Sequence, residues 1–201
     1  PAAVFAQRTA LGRWNILNEL VCFDMGVMRF SELLRGEIAK NYKGHDIQIY
    51  GDPAGDFRSQ TDERTPFSIM RNYGLKAVPA PSNDVALRIE SVDTALQRLI
   101  DGKAGFVLDP QCINLKKGFN GGYHYRRLQT SGDRYDEKPF KNRYSHVHDA
   151  LQYLMMGAGE GRTLLSGKSQ NKPTVVKKEW DVFAGQRTKK RKVWDLFKRN
   201  G

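Results

Sequence analysis

The 201-residue chain carries 33 Lys and Arg against 22 Asp and Glu, a formal net charge of +11. This length accommodates one core domain with a tail but not two domains of usual size, and the charge favours a polyanionic partner such as nucleic acid. No apolar run approaches the roughly 18 residues of a membrane span and no signal peptide opens the sequence, so we expect no membrane partner.

The two cysteines, Cys22 and Cys112, lie beside apolar residues and form neither a CxxC pair nor a Cys/His cluster. They exclude a zinc site and a disulfide framework, and they are typical of reduced core residues in an intracellular protein. Because the sequence begins at Pro1 and not at Met, we expect a cut fragment or a processed chain.

The N-terminal part of the sequence predicts a hairpin, a helix and a short strand. Two apolar segments, 2–7 and 14–21, flank a turn and are typical of antiparallel strands. Apolar residues near 3.6-residue spacing over 28–42 predict a helix that the following Lys-Gly pair ends. The alternation over 46–52 then predicts a strand, which the following Pro-Ala-Gly stops.

Asp52 ends this strand, and its carboxylate is predicted to lie at the edge of the sheet. In an open α/β sheet, ligands bind in the crevice beyond the carboxyl ends of the strands. The other interpretation is that Asp52 only initiates a turn, as Asp before Pro often does.

The same signals predict helices over 66–73, 83–100 and 145–157, and strands over 76–79 and 105–109. The strand over 105–109 repeats the Asp-Pro ending, with Asp109 in the place of Asp52. Since Asp-Pro ends many strands, the sequence favours a turn at Asp109 over a direct role.

A basic, aromatic ribbon turned by glycines is predicted over 112–129. Such a ribbon follows a phosphate backbone and stacks on bases. The candidate DNA-binding residues are Lys116, Lys117, Tyr123, Arg126 and Arg127. The alternative is an edge hairpin whose tyrosines pack on the domain.

The helix over 145–157 places Asp149 in its first turn. An acid at this position is also explained by the helix dipole alone, which it stabilises by a few tenths of a kcal/mol. His146 and His148 are two positions apart and so do not share a helix face, which excludes an i, i+4 zinc pair and leaves them at most as residues that line a site.

The character of the chain changes after Gly157. Residues 160–201 carry 12 Lys and Arg against 4 Asp and Glu, whereas residues 1–159 carry 21 against 18. The first half of this tail is typical of a linker. In the second half, Val193, Trp194 and Phe197 have the spacing of a short helix that folds onto a partner, and the alternative is a solvated, mobile end.

Carboxylates at strand ends and at a helix start, in a basic chain without a nucleophilic Ser or Cys motif, suggest a cluster that holds hard divalent cations. Mg²⁺ and Mn²⁺ take oxygen ligands, and a pair of them roughly 4 Å apart orients a water and stabilises the leaving oxygen in phosphodiester cleavage. Carboxylates repel one another unless a metal neutralises them, so their convergence would argue for function. The convergence of Asp52 and Asp149 is the resulting hypothesis.

Three motifs resemble one known family: Ile-Tyr-Gly-Asp-Pro-Ala-Gly at 49–55, Phe-Val-Leu-Asp-Pro at 106–110, and Ser-His-Val-His-Asp-Ala-Leu-Gln-Tyr-Leu at 145–154. Together they resemble the C-terminal nuclease domain of the large terminase subunit of tailed double-stranded DNA bacteriophages. The resemblance covers roughly residues 1–157, and the helix motif is its most specific part.

The resemblance implies an RNase H-like fold over 1–159, a mixed sheet flanked by helices, followed by a basic linker and C-terminal tail over 160–201. It implies an acid cluster that binds two Mg²⁺ or Mn²⁺ ions and cuts concatemeric viral DNA at the start and end of packaging, with Asp52 and Asp149 as catalytic and metal-binding residues. The implied partners are double-stranded DNA, the portal protein, the small terminase subunit and the ATPase domain of the same full-length chain, in the host cytoplasm.

The sequence departs from the family at the first acid of the cluster. The strand over 2–7 contains no carboxylate, and the family pattern places that acid upstream of Pro1. Asp24 follows the second strand and is the wrong residue to replace it. The basic ribbon would guide the duplex towards the acids, and the tail after Glu160 is a candidate for docking to the portal.

Two other classes remain open. Transposases, integrases and Holliday-junction resolvases also place acid triads on basic RNase H-like domains, and a preference for branched DNA would distinguish a resolvase. A non-catalytic DNA-binding and portal-docking module would lack the chemistry altogether, and metal titration separates it from the enzymes.

Overall fold

The computed structural model describes residues 1–56, 64–128 and 134–160. Within these ranges the chain is mixed α/β, with small mixed sheets flanked by helices. This confirms the predicted class at that level. Apart from Glu160, the predicted basic tail over 160–201 lies outside the described residues.

The strands and helices are bounded as follows. The strands are β1 Ala2–Arg8, β2 Trp14–Val21, β3 Ile49–Gly51, β4 Ala77–Pro79, β5 Leu99–Ile100, β6 Lys103–Ala104, β7 Phe106–Leu108, β8 Tyr125–Arg127 and β9 Tyr135–Pro139. The helices are α1 Val27–Asn41, α2 Pro66–Asn72, α3 Val85–Gln97, α4 Ile113–Lys117 and α5 Ser145–Met155. A 3₁₀ turn covers Pro53–Asp56, and π-helical turns cover Gly118–Gly122 and Met156–Glu160.

The predicted N-terminal hairpin is confirmed. β1 pairs antiparallel with β2, and β2 pairs on its other side, in parallel, with β7. β3 pairs in parallel with β4 in a second sheet. The Ala-rich β1 is therefore hydrogen-bonded along one edge only within the described residues.

The two faces of β1 pack against different helices. Ala2, Val4 and Ala6 pack on the core cluster that contains Leu151 and Met155 of α5. Their neighbours Ala3 and Phe5 pack on the cluster that contains Phe30 and Leu34 of α1. This alternation follows from the two-residue period of a strand, and it places β1 between helical layers.

Side-chain caps fix where two of the helices begin. The Thr65 hydroxyl accepts from Ser68 N at 3.1 Å, one residue before Pro66 at the first helical position of α2. The Asp84 carboxylate accepts from Leu87 N at 2.9 Å at the start of α3. Both arrangements satisfy backbone donors that a helix start leaves without partners.

Two predicted elements differ in the structure. The helix expected over 83–100 ends at Gln97, because Arg98 is extended and Asp101-Gly102, both at positive φ, turn a two-residue hairpin between β5 and β6. The ribbon expected over 112–129 begins instead as α4 and a π-helical turn. The sequence also missed β9, which pairs with β8 and consists largely of charged or exposed residues.

Both cysteines are free thiols, with Cys112 buried and Cys22 half-buried. Burial and the nearby carboxylates of Glu19 and Asp109 raise the pKa of Cys112 to about 11. None of the helices in the described ranges has both the length and the apolarity that crossing a bilayer requires.

Candidate functional site

Asp52 lies immediately after β3 and remains exposed. Its Oδ1 accepts from Ala54 N at 2.9 Å, and its carbonyl accepts from Gly55 N at 2.8 Å. Asp52 therefore does initiate the turn, as one interpretation of the sequence held. The same turn holds the carboxylate at the end of the strand.

Asp149 lies in the second turn of α5 and not in the first turn, as the sequence predicted, because the helix already begins at Ser145. Its side chain is 17% exposed. Two cations contact it from different elements: Arg88 Nη1 of α3 lies 3.4 Å from Oδ1, and Lys141 Nζ lies 2.5 Å from Oδ2. Both carboxylate oxygens thus have a positively charged partner. The contact with Arg88 is the more protected from water, because the Arg88 side chain is only 6% exposed.

Tyr153 lies beside Asp149 on α5, the helix against which β3 packs. It follows Asp149 by one helical turn, and its hydroxyl donates to Asn83 Oδ1 at 2.6 Å. Burial raises the pKa of Tyr153, the Arg88 guanidinium opposes the rise, and the carboxylates of Asp52 and Asp149 add to it. β3 packs against the end of this helix, since a Cβ at Gly157 would overlap the ring of Tyr50, two residues before Asp52.

Arg88 is the residue of this site that the sequence prediction missed. Its guanidinium lies 4.5 Å from the centre of the Tyr153 ring, and its Nε is buried without a hydrogen-bond partner among the described residues. A signal was present, because Arg88 shares the buried stripe of α3 with Val92 and Ala95 and so occupies a position where an apolar residue is expected. A buried arginine at such a position indicates a carboxylate partner.

The donor set of the site fits a divalent metal only in part. Asp52 and Asp149 offer carboxylate oxygens, which Mg²⁺ and Mn²⁺ prefer. Within the described ranges, however, no three His, Cys, Asp or Glu side chains are grouped so that they could hold an ion. The predicted pair of ions therefore needs ligands beyond those that 1–56, 64–128 and 134–160 supply.

The predicted DNA-binding residues fall on two elements. Lys116 and Lys117 are exposed in the last turn of α4, and Arg126 and Arg127 are exposed on β8. The Arg126 guanidinium stacks at 4.1 Å on the ring of Phe140. All four cations face solvent, so their charge is accessible to a partner.

Tyr123 is placed differently from these four cations. Its ring stacks on His148 at 4.8 Å, and its hydroxyl accepts from Gln152 Nε2 at 2.9 Å. His148 is buried, and burial lowers its pKa. His148 thus belongs to the core and does not line an open site, whereas His146 is exposed.

Asp109 has the local role that its Asp-Pro context favours. Its Oδ1 accepts from Gln111 N at 2.9 Å, and its carbonyl accepts from Cys112 N at 3.0 Å, so it turns the chain from β7 into α4. The neighbouring Glu19 accepts from the backbone N–H groups of Asn114 and Leu115 at the start of α4. These contacts explain both acids as structural groups.

No protein-family model, curated protein or solved structure matches this chain.

Proposed function

We propose that this chain is a divalent-metal-dependent DNA endonuclease domain with an RNase H-like fold, of the kind found in the large terminase subunit of tailed bacteriophages. In this proposal it cuts concatemeric viral DNA in the host cytoplasm, working with the portal protein, the small terminase subunit and an ATPase domain of the same full-length chain. The observation that carries the proposal is the packing of the strand that ends at Asp52 against the helix that carries Asp149: a Cβ at Gly157, just after α5, would overlap the ring of Tyr50 in β3.

In this proposal Asp52 and Asp149 hold Mg²⁺ or Mn²⁺, and further ligands come from outside the described residues. The ions, when bound, would activate a water and stabilise the leaving oxygen. The chain itself positions the acids: the turn after β3 fixes Asp52, and Arg88 and Lys141 hold the carboxylate of Asp149 in place. Metal binding then has to compete with these two cations for Asp149.

Replacing Asp52 or Asp149 by Asn is expected to weaken Mn²⁺ binding at least about tenfold, because each change removes an anionic oxygen ligand. Mn²⁺ binding to the full 201-residue chain and nicking of supercoiled plasmid with Mg²⁺ or Mn²⁺ measure the effect. Asp52→Asn is the milder variant, since an amide oxygen still accepts from Ala54 N. Asp93→Asn, at an exposed position of α3, is the matched control.

The result is informative only for folded variants, which thermal unfolding of each variant establishes. Mn²⁺ binding that neither aspartate variant reduces, or nicking that survives both changes, would contradict the proposed site. Nicking confined to branched DNA would instead assign the chain to the resolvases.

Replacing Arg126 and Arg127 together by Ala is expected to weaken duplex DNA binding and to reduce the slope of log K against log salt by about 0.9 for each phosphate that is no longer neutralised. Titration of a labelled duplex at several salt concentrations measures both quantities. The control is the double change of Arg29 and Lys40 to Ala, which removes the same charge from exposed positions of α1. If the two double variants lower the affinity equally, net charge alone explains the effect and Arg126 and Arg127 have no specific role.

A non-catalytic DNA-binding module is the second candidate, and the Arg88–Asp149 pair favours it. This pair neutralises a carboxylate of the site with a buried guanidinium in place of a metal. Such a module would bind duplex DNA with the expected salt dependence and would take up no Mn²⁺ at the two aspartates.

A further inference from the structure

Two strand edges face a common cavity. Within the described residues, β1 hydrogen-bonds only to β2 and β3 only to β4, so each has one edge without a strand partner. A cavity of about 790 Å³ is lined by both strands.

The cavity lies along the edges of these strands and not on one face. It is lined by every residue from Ala2 to Arg8 and by every residue over 47–51. Because successive side chains of a strand point to opposite faces, a space that touches every residue in turn must follow the edge. The cavity is therefore a slot between the edges of β1 and β3, in the place that a neighbouring hydrogen-bonded strand would occupy.

Helices cover this slot on both sides. Phe30 and Leu34 of α1 and Met70 of α2 line one side, and Ala150 and Leu154 of α5 line the other. A strand in the slot would be buried on both faces, as central strands of helix-covered sheets are, and would need a near-continuous apolar sequence.

The slot and a single strand are of the same order of size. Six residues of strand are about 20 Å long, a strand takes about 4.8 Å of sheet width, and layers lie about 10 Å apart, so one strand needs on the order of 1,000 Å³. The flanking edges also need such a partner. Buried backbone N–H and C=O groups are nearly always hydrogen-bonded, and Ala2–Ala6 carries none of the charges or prolines that normally protect an edge.

We propose that a β-strand from a polypeptide segment outside these 201 residues inserts between β1 and β3 and joins the two sheets into one. The inserted strand would run beside Gly51 and so reach the neighbourhood of Asp52. Such a strand needs a near-continuous apolar sequence, and the longest apolar run in the sequence of residues 161–201 is three residues, over 182–184.

The position of Pro1 at the start of β1 allows a direct test. A library of seven-residue strands built from Val, Ile, Ala and Thr is joined to Pro1 of the full chain through an Asn-Gly hairpin loop, which favours an antiparallel partner for β1. Thermal unfolding selects the most stable members, and residue-resolved amide hydrogen exchange shows which edges they protect. We expect selected members to slow exchange at least about tenfold in both β1 and β3, since only a strand that pairs on both sides does so.

The control is the same selected strand with a central proline, which removes a ladder donor and should abolish the protection. A library in which no member protects both edges overturns the proposal. Slow exchange at both edges in the unextended chain overturns the proposal as well. If deleting 161–201 removes that protection, the tail fills the slot. If the protection depends on protein concentration, a second copy of the chain fills it. Exchange measures sheet completion and nicking measures nuclease activity, so either can fail without the other.

Discussion

Replacing Glu160 by Ala is expected to lower the free energy of unfolding by about 2–3 kcal/mol, somewhat less than the roughly 3–5 kcal/mol of breaking a fully buried ion pair. Glu160 is buried, and its two carboxylate oxygens accept from Arg98 at 2.8 and 2.6 Å. Oε1 also accepts from Trp14 Nε1 at 2.9 Å. The reduction relative to a fully buried pair follows from the Arg98 side chain, which is 27% exposed and keeps some solvation.

Chemical denaturation of the variant and the parent measures this effect. Glu90→Ala, at an exposed position of α3, is the matched control and should change stability little. Equal losses in the two variants would show that the contacts of Glu160 with Arg98 and Trp14 contribute nothing specific.

The same contacts give Glu160 a defined pH dependence. Burial raises its pKa, but the hydrogen bonds from Arg98 and Trp14 outweigh burial and hold the pKa below the usual value. The ionised carboxylate therefore contributes its full stability above the unfolded-state pKa of about 4.3, and the contribution is lost as the pH falls through the lower folded-state pKa. The stability difference between the parent and Glu160→Gln should accordingly be constant near neutral pH and shrink below about pH 4.3.

Replacing Gly157 by Ala is expected to destabilise the domain by about 2–3 kcal/mol, near the upper end of the usual overpacking cost. A Cβ at Gly157 would lie 2.2 Å from Cγ and 2.3 Å from Cδ1 of Tyr50. Tyr50 belongs to β3, two residues before Asp52, so relief of the clash has to move the strand that presents the acid. Thermal unfolding measures the loss, and under the proposed function Mn²⁺ binding should weaken with it.

Gly36→Ala is the matched control for this change. Gly36 lies on the exposed side of α1, and a Cβ added there would meet no atom of the described residues within 4 Å. An alanine at this position should therefore stabilise the helix by up to about 1 kcal/mol. The two substitutions are therefore expected to change stability in opposite directions. A neutral Gly157→Ala would show that β3 and the turn after α5 separate without cost.

The sequence predicted those elements whose signals are local. The hairpin of β1 and β2, helices α1 and α5 and the short strand before Asp52 all follow from periodicity and turn residues. The Asp-Pro turns at Asp52 and Asp109 were likewise readable from adjacent residues.

The features that depend on distant partners were not predictable in this way. Arg98 ends α3 in an extended conformation while its guanidinium binds Glu160, and nothing near either residue in the sequence indicates the other. The pairing of Arg88 with Asp149 was equally unpredictable, because it depends on the packing of α3 against α5. His148 was expected at most to line a site, and only the close approach of Gly118 and Tyr123 explains its burial.

The parallel pairing of β2 with β7 has a consequence for the order in which the chain folds during synthesis. Trp14 pairs with Phe106, so the ladder closes a loop that contains most of the folded sequence, whereas β1 and β2 meet across a short turn. Closing the long loop costs more chain entropy than closing the short one, so the hairpin forms first. During synthesis on the ribosome, the β2 edge of that hairpin stays open until β7 has emerged, and a nascent chain in this state is exposed to edge-to-edge association.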